Sequence, residues 1–198
     1  MLRLSSSAVR MLRSGPNDAR LTVAETLTRA VPEPLLRYLE HAGTTIRVLH
    51  PGERFIDASA SVDVADADVD RWPIPPAGLF VVAERTLYLR LVTAMTIGHE
   101  IFHAFDVALG VGGRYLSATD ARISGAYAAA RERARFVTPY AAGDTAEYFA
   151  EAGRAMVGLN DDVSPWRPVG EAVLRKVDPA MHRIMLELFE RVAIEGAS

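Results

Sequence analysis

The chain has 198 residues, of which 22 are basic and 25 acidic, so its formal net charge is −3, and 49% of its residues are hydrophobic. These values are typical of one globular domain, and the weak negative balance argues against a nucleic-acid ligand, whose binding requires many basic side chains. Because cysteine is absent, disulfide bonds, thiolate catalysis and Cys-ligated metal sites are excluded, which leaves His, Asp and Glu as metal ligands.

The N-terminal residues 1–20 are predicted to be a flexible leader ahead of a single domain over 21–198. Residues 1–16 contain three arginines and no acidic residue, a composition that faintly resembles a transit peptide, but a solvated tail is the simpler interpretation. No apolar run reaches the roughly 18–20 residues of a membrane span, and no secretory signal is recognisable. We therefore expect no membrane span and no Sec export, so the cytoplasm and export by another route both stay open.

The first half of the domain is predicted to contain helices and then strands. Helical spacing over 22–41 is interrupted by two prolines and predicts one kinked helix or two short ones. The acidic stretch 59–70 predicts a solvated loop or an edge strand, since it lacks the central Gly and terminal Glu of an EF-hand loop. Three strands are predicted, the last two as a hairpin, over 46–49, 79–83 and 86–92.

From Thr93 onward the apolar spacing is helical. Four helices are predicted, over 93–109, 118–136, 144–159 and 179–193. The last of them has Asp178 as its N-cap and an apolar stripe typical of a packing helix. Because strands precede the main helices, the sequence predicts an α+β fold in which a short N-terminal mixed sheet is followed by a helical half.

The helix over 93–109 carries the motif His99-Glu100-Ile101-Phe102-His103, an H-E-x-x-H string that composition alone produces in roughly one such sequence in a hundred. Most other side chains of this helix are apolar. Its polar residues lie within a sector of roughly 120°, and they are Thr96, His99, Glu100, His103 and Asp106. A buried helix does not carry such a polar stripe unless other groups satisfy it.

A divalent metal ion would satisfy this stripe. His99 and His103 lie one turn apart and can bind the same ion, while Glu100 is placed beside a bound water. Zinc suits two neutral imidazoles plus a carboxylate, and an open fourth position lowers the pKa of the water toward about 7. A core with two hydrogen-bonded histidines is the alternative, but it leaves Glu100 unexplained. The remaining histidines are predicted to lie on the surface, and they are His41, His50 and His182.

The third ligand must come from another segment, because the residues after the motif exclude the metzincin continuation. The helix over 144–159 offers Glu147 and Glu151, one turn apart. One carboxylate can bind the metal while the other orients a ligand histidine. The alternative is a capping box with Asp144 as N-cap and Glu147 at the third position, plus a surface pair of Glu151 with Arg154.

These motifs resemble a known family. The string His99-Glu100-x-x-His103, followed by Tyr140 and by Glu147-Tyr148-Phe149-Ala150-Glu151, resembles the catalytic domain of anthrax toxin lethal factor and its relatives, which include the secreted Pro-Pro endopeptidases. The resemblance implies a small zincin-like domain of gluzincin type, with one zinc ion per chain on His99, His103 and Glu147. It also implies Glu100 as the base, Tyr140 at the oxyanion and Glu151 as support for a ligand.

Three positions, Tyr140, Asp106 and Gly153, need a separate interpretation beside this resemblance. Tyr140 has a physical role of its own, since a phenol can donate a hydrogen bond to a tetrahedral intermediate without competing for the metal. Its alternative is a loop tyrosine with its ring on the core. For Asp106, capping or an internal hydrogen bond competes equally with an orienting role behind a ligand histidine. Gly153 stands where the family more often has Phe, which puts the local helix packing in question.

The sequence therefore predicts a zinc-dependent endopeptidase. Its substrate is expected to be a protein or peptide that lies extended along an edge strand within residues 79–92, with no nucleic-acid partner. Two alternatives stay open. One is a cytosolic metallopeptidase that cleaves a repressor, for which Tyr140 would lie away from the metal. The other is a non-catalytic metal-binding or interaction domain, and the presence of Glu100 argues against it. The sequence does not decide between a delivered toxin and a housekeeping protease.

Overall fold

The computed structural model describes residues 2–162 and 168–195. The N-terminal half of the described chain contains α1 (Ser6–Met11), β1 (Leu12–Ser14), α2 (Asn17–Ala30), α3 (Glu33–His41), β2 (Thr45–Val48), α4 (Phe55–Ala58), α5 (Val62–Ala67), β3 (Gly78–Val81) and β4 (Thr86–Leu89). The rest is helical, with α6 (Ala94–Leu109), α7 (Ala121–Glu132), α8 (Thr145–Val157), α9 (Glu171–Val177) and α10 (Pro179–Glu195). This order confirms the predicted α+β fold, and the two separate helices α2 and α3 confirm the predicted break.

The four strands form a mixed sheet with the order β1-β2-β4-β3. β1, β2 and β4 are parallel, whereas β3 runs antiparallel to β4 with Gly78 opposite Leu89 and Phe80 opposite Leu87. This pairing confirms the predicted hairpin. Within the described residues β3 pairs only with β4, so β3 is an edge strand of the sheet.

Helix α6 runs through the core. Thr93 caps its first turn by accepting the N–H of Thr96, and the carboxylate of Asp161 accepts the N–H of Met95 at 2.9 Å. Most apolar side chains of α6 are buried, and those of Ile97, Ile101, Phe102 and Phe105 are fully buried. The two acceptors fix the N-terminal end of the helix, so the polar residues one turn further along are held against a rigid core.

Helix α8 packs closely on α6, and a glycine makes the close approach possible. A Cβ atom on Gly153 would lie 2.1 Å from a ring carbon of Phe102, so a side chain there would displace the α6 ring. Asp144 caps α8 by accepting the N–H groups of Ala146 and Glu147 at 2.8 and 2.9 Å. The space beside Gly153 is therefore filled by the ring of Phe102 from the facing helix, and α6 and α8 remain in direct contact.

Three regions differ from the sequence predictions. The segment predicted to be a flexible leader contains α1 and β1, and Ala8 and Met11 are buried in the core, since β1 pairs with β2. The prediction of a solvated loop or edge strand over 59–70 is wrong, because this stretch forms α5 and a 3₁₀ turn, which bury Val64 and Val69. The surface position predicted for His182 is also wrong.

His182 lies in the buried face of α10, where its Nε2 lies 3.0 Å from the carboxylate of Glu171. The burial of His182 is explained by α9, which directly precedes α10 and contains Glu171. The side chains of His41 and His50 are exposed, as predicted. None of the helices in the described ranges combines the length and the apolar character that a bilayer crossing needs.

Candidate metal centre and active site

Three potential metal ligands from two helices converge in the structure. His99 and His103 project from α6, and their Nε2 atoms lie 3.0 Å apart. Glu147, in the first turn of α8, places Oε2 at 3.1 Å from the Nε2 of His99 and Oε1 at 3.6 Å from the Nε2 of His103. The structure thus brings together the two motif histidines and the first of the two candidate carboxylates.

The spacing of these three groups fits a zinc ion. A tetrahedral zinc ion with bonds of about 2.0–2.1 Å separates its ligand atoms by about 3.3 Å, close to the observed separations. Nδ1 of His103 and Oε2 of Glu147 are buried without a hydrogen bond of acceptable geometry. The two Nε2 atoms and the carboxylate oxygens in such contact repel one another unless a proton or a metal ion lies between them. Two imidazoles and a carboxylate are a donor set that zinc prefers.

The charges around His99 also favour a cation. Burial lowers the pKa of His99, but hydrogen bonds to Glu147 and Glu151 outweigh this effect and raise the pKa to about 10. Burial raises the pKa of Glu147, but contacts with His103 and His99 lower it to about 2. The carboxylates therefore stay ionised, and without a metal their negative charge keeps a proton on His99, which a metal ion at Nε2 would replace.

Glu100 lies in the wall between α6 and the edge strand. Its side chain is buried, and burial raises its pKa against the opposing charges of His99 and His103. Strand β3 passes directly over it at Gly78, where a Cβ atom would lie 2.6 Å from Cγ of Glu100. A residue with a side chain at position 78 would therefore displace Glu100 from its observed position.

Glu151 supports His99 from behind, one turn after Glu147 on α8. Its Oε1 lies 3.0 Å from Nδ1 of His99. A proton on Nδ1 that is donated to this carboxylate leaves the lone pair of Nε2 directed at the convergence point. The same carboxylate accepts hydrogen bonds from Thr138 at 2.6 Å and from the guanidinium of Arg154 at 2.7 and 2.9 Å.

Tyr140 lies beside His99 in a short 3₁₀ turn, Tyr140–Ala142, just before α8. Its ring is edge-on to that of His99, with 5.3 Å between the ring centroids, and 58% of the residue is exposed. The ring therefore borders the open side of the site. It is neither the core-packed tyrosine of the alternative interpretation nor the distant one expected for a repressor-cleaving enzyme.

Asp106 is part of the same helix face but makes a different contact. Its carboxylate is fully buried and accepts the N–H of Ser117 at 2.8 Å. Burial raises its pKa to about 6. Asp106 therefore anchors the 3₁₀ turn Leu116–Ala118. This contact is the internal hydrogen bond that the sequence analysis gave as the alternative to an orienting role.

The capping alternative for α8 describes part of the arrangement. Asp144 is the N-cap, as that alternative required. The side chain of Glu147, however, turns toward the histidines, and the pair of Glu151 with Arg154 is buried, not on the surface. Capping by Asp144 and a metal-facing Glu147 are therefore compatible, because the cap uses only the backbone N–H of Glu147.

The sequence analysis missed three contributors to the site, Gly78, Thr138 and Arg154. A glycine inside a predicted strand is a known signal of a close backbone approach, so Gly78 could have been found. Arg154 was considered only as a surface partner, and Thr138 shows no local pattern. Thr138 contacts Glu151 from the segment before α8, which spacing along the chain does not specify, whereas the pair of Arg154 with Glu151 follows from their spacing and only its burial was not predicted.

A cavity of about 590 Å³ opens beside His99 and Glu100. Tyr140 borders it, and most of its remaining wall is apolar and comes from the segment before β3, the segment after β4 and the first turn of α6: Trp72, Ile74, Pro75, Pro76, Leu91 and Met95. Such a volume is in the range of ligand pockets and accommodates several side chains of a peptide. The proposed ligands thus lie at one side of an accessible, largely apolar cleft.

Comparison with known proteins shows what this fold is similar to. No protein-family model matches the sequence, and no curated protein matches it significantly. The fold is similar to that of a Pro-Pro endopeptidase from Paenibacillus alvei, with a TM-score of 0.59 over 92% of this chain and 100% of that chain, at 17% identity. This likeness supports the predicted relation to Pro-Pro endopeptidases at the level of the fold, whereas the relation to lethal factor stays a prediction.

Proposed function

We propose that this protein is a zinc-dependent endopeptidase of the gluzincin type, which hydrolyses a peptide bond in a protein or peptide. The observation that carries the proposal is the convergence of His99, His103 and Glu147 beside Glu100 at an accessible cleft. The predicted edge-strand substrate is compatible with the position of β3 over Glu100. A non-catalytic metal site would need the convergence but neither the carboxylate of Glu100 nor the cleft.

The residues of the chain have distinct roles in this proposal. His99, His103 and Glu147 would hold one zinc ion, which when bound supplies a Lewis acid that polarises the scissile carbonyl and acidifies water. Glu100 accepts a proton from the attacking water and donates it to the leaving amine. Tyr140 donates a hydrogen bond from its hydroxyl to the oxygen on which negative charge develops.

The substrate is expected to lie against β3 and the apolar wall of the cleft. An extended peptide can add to the free edge of β3 through main-chain hydrogen bonds, which brings it over Glu100 at Gly78. The apolar wall around Trp72 and Ile74 would bury side chains on that peptide and exclude water. This arrangement favours an unfolded or flexible segment as substrate over a folded surface.

The test uses the purified, zinc-loaded protein and a peptide library prepared from a digested proteome. New N-termini are sequenced for the wild type and for Glu100→Gln. We expect cleavage enriched around one residue pair, and a roughly 10²- to 10⁴-fold slower reaction for Glu100→Gln, since it removes the proton acceptor. Zinc content of the variant should match that of wild type, because Glu100 is not among the ligands.

Two outcomes would contradict the proposal. One is a zinc-loaded wild type that cuts no peptide in the library. The other is cleavage by Glu100→Gln at the wild-type rate, which would show that Glu100 moves no proton in the reaction.

A further inference from the structure

Among the arginine and lysine side chains of the described residues, that of Arg154, in the last turns of α8, is the most deeply buried. Only 2% of it is exposed. Its guanidinium faces Glu151 as a fork, with Nε 2.9 Å from Oε1 and Nη2 2.7 Å from Oε2. Such a two-pronged contact fixes both the position and the plane of a carboxylate, which a single hydrogen bond does not.

Arg154 is itself held from the opposite side. Its Nη1 donates to the carbonyl of Leu159 at 2.8 Å and to Oδ1 of Asn160 at 3.2 Å. Asn160 in turn bonds the backbone of Val169 through both its oxygen and its nitrogen. The guanidinium is therefore clamped between the chain after α8 and the carboxylate of Glu151, and it has little freedom to move.

The orientation of Glu151 determines that of His99. Oε1 of Glu151 is the atom that contacts Nδ1 of His99 at 3.0 Å, and the same Oε1 accepts Nε of Arg154. A rotation of the carboxylate would break both contacts at once. His99 is the only motif histidine whose Nδ1 has a hydrogen-bond partner among the described residues, since Nδ1 of His103 has none.

We propose that Arg154 is a positioning residue for the metal centre, acting through Glu151 on His99. This inference rests on the proposed function, because it requires His99 to bind a metal. Arg154 does not contact the three proposed ligands, so its influence on metal affinity passes through the carboxylate. Burying a guanidinium is costly unless it is fully paired, and a nonpolar side chain of similar length would fill the same space between α6 and α8.

The test measures the zinc dissociation constant of the full chain by competition with a chromogenic chelator, together with unfolding in denaturant. The wild type is expected to bind one zinc ion. Arg154→Met is expected to bind zinc roughly ten- to a hundredfold more weakly, the range found for residues that orient a ligand from behind. Arg154→Lys, which keeps the charge but loses the fork, is expected to fall between the two.

The matched control is Tyr148→Phe, which removes a buried hydrogen bond of the same helix to Asp178 but leaves Arg154, its supports and its contact with Glu151 in place. This variant is expected to unfold at lower denaturant concentration while its zinc dissociation constant stays at the wild-type value. A second comparison repeats Arg154→Met in a Glu151→Gln background. Because Arg154 acts through Glu151, the additional loss of zinc affinity is expected to vanish there.

Several results would overturn the inference. Zinc binding by Arg154→Met at wild-type affinity would do so, as would an equal loss of affinity in the Glu151→Gln background. If Arg154→Met does not fold, wild-type affinity in a folded Arg154→Lys protein is the decisive contrary result. A wild type that binds no zinc would instead refute the proposed function, so the two failures are distinguishable.

Discussion

His99 and His182 form similar contacts in two regions of the molecule. The side chains are 14% and 9% exposed, and each has a ring nitrogen 3.0 Å from a glutamate oxygen, that of Glu151 and that of Glu171. A tyrosine accompanies each region as well. Tyr140 lies edge-on to His99, and Tyr148 donates to the buried carboxylate of Asp178 at the start of α10. By local contacts alone, both regions are candidates for a functional site.

The two regions differ at the second ring nitrogen and in the partner carboxylate. Nε2 of His99 faces His103 and Glu147, whereas the partner of His182 is a surface residue, 51% exposed. Across residues 2–162 and 168–195, His99, His103 and Glu147 form the one group of three such ligands with atoms close enough for a shared ion. A buried histidine paired with a carboxylate is therefore weak evidence for a metal, and convergence of several donors is the stronger signal.

The largest expected effect concerns metal content. His99→Ala should lose most of the zinc that the wild type retains after dialysis, about one ion per chain, because two remaining ligands bind zinc weakly. His182→Ala should retain all of it, since its ring bonds Glu171 and is not part of the ligand group of the described residues. Metal analysis of the two purified variants by mass spectrometry measures this difference directly.

Glu147→Ala and Glu151→Ala extend the same experiment to the carboxylates. Glu147→Ala is expected to lose zinc nearly as completely as His99→Ala. Full zinc retention by Glu147→Ala, together with loss by Glu151→Ala, would show that the ligand is the other carboxylate. Equal zinc loss in His99→Ala and His182→Ala would remove the distinction between the two regions.

The tyrosines provide the second comparison. Tyr140→Phe should reduce kcat and kcat/KM together by roughly ten- to a thousandfold, because it removes one donor to the transition state while the ring stays in place. Tyr148→Phe should leave kcat unchanged but reduce the free energy of unfolding by about 1.5–3 kcal/mol, since it removes the hydroxyl donor to the buried carboxylate of Asp178 and leaves only the N–H of Met181 among its donors in the described residues. Steady-state kinetics and denaturant unfolding of both variants measure the two effects.

Wild-type kcat in a folded, zinc-loaded Tyr140→Phe enzyme would contradict the oxyanion role of Tyr140. It would also remove the strongest motif that links this chain to the lethal factor family. A kinetic loss in Tyr148→Phe without loss of stability would mean that the α10 junction takes part in the chemistry.

Much of the fold follows from periodicity. The apolar stripes of α6, α8 and α10 predict their positions to within a few residues, because each stripe records a buried face. β1 is only three residues long and depends on its pairing with β2, so no local signal predicts it. The alternating acidic and small residues of 59–70 suggest a strand period, but burial of Val64 and Val69 favours short helical turns.

Spacing along the chain predicts part of the site. The H-E-x-x-H offset places His99, Glu100 and His103 together on one face of a helix. It does not choose between Glu147 and Glu151, since both lie on the facing side of α8 and only the packing of α8 on α6 decides which one reaches the histidines. That packing depends on Gly153 and Phe102, a long-range contact that no local pattern reports.

The smallest expected effect is that of Glu171→Ala, which removes the carboxylate beside His182. Because Glu171 is half exposed, water screens its interaction with the histidine, and such pairs stabilise proteins by about 0–1 kcal/mol. We therefore expect a change of less than about 1 kcal/mol in the free energy of unfolding, with zinc content and kcat at wild-type values. Denaturant unfolding at neutral pH, with wild type and His182→Ala measured in parallel, checks this expectation. A loss of zinc in Glu171→Ala would mean that the His182 region affects zinc binding through α8. The two histidines would then differ only in how strongly their surroundings affect the metal centre.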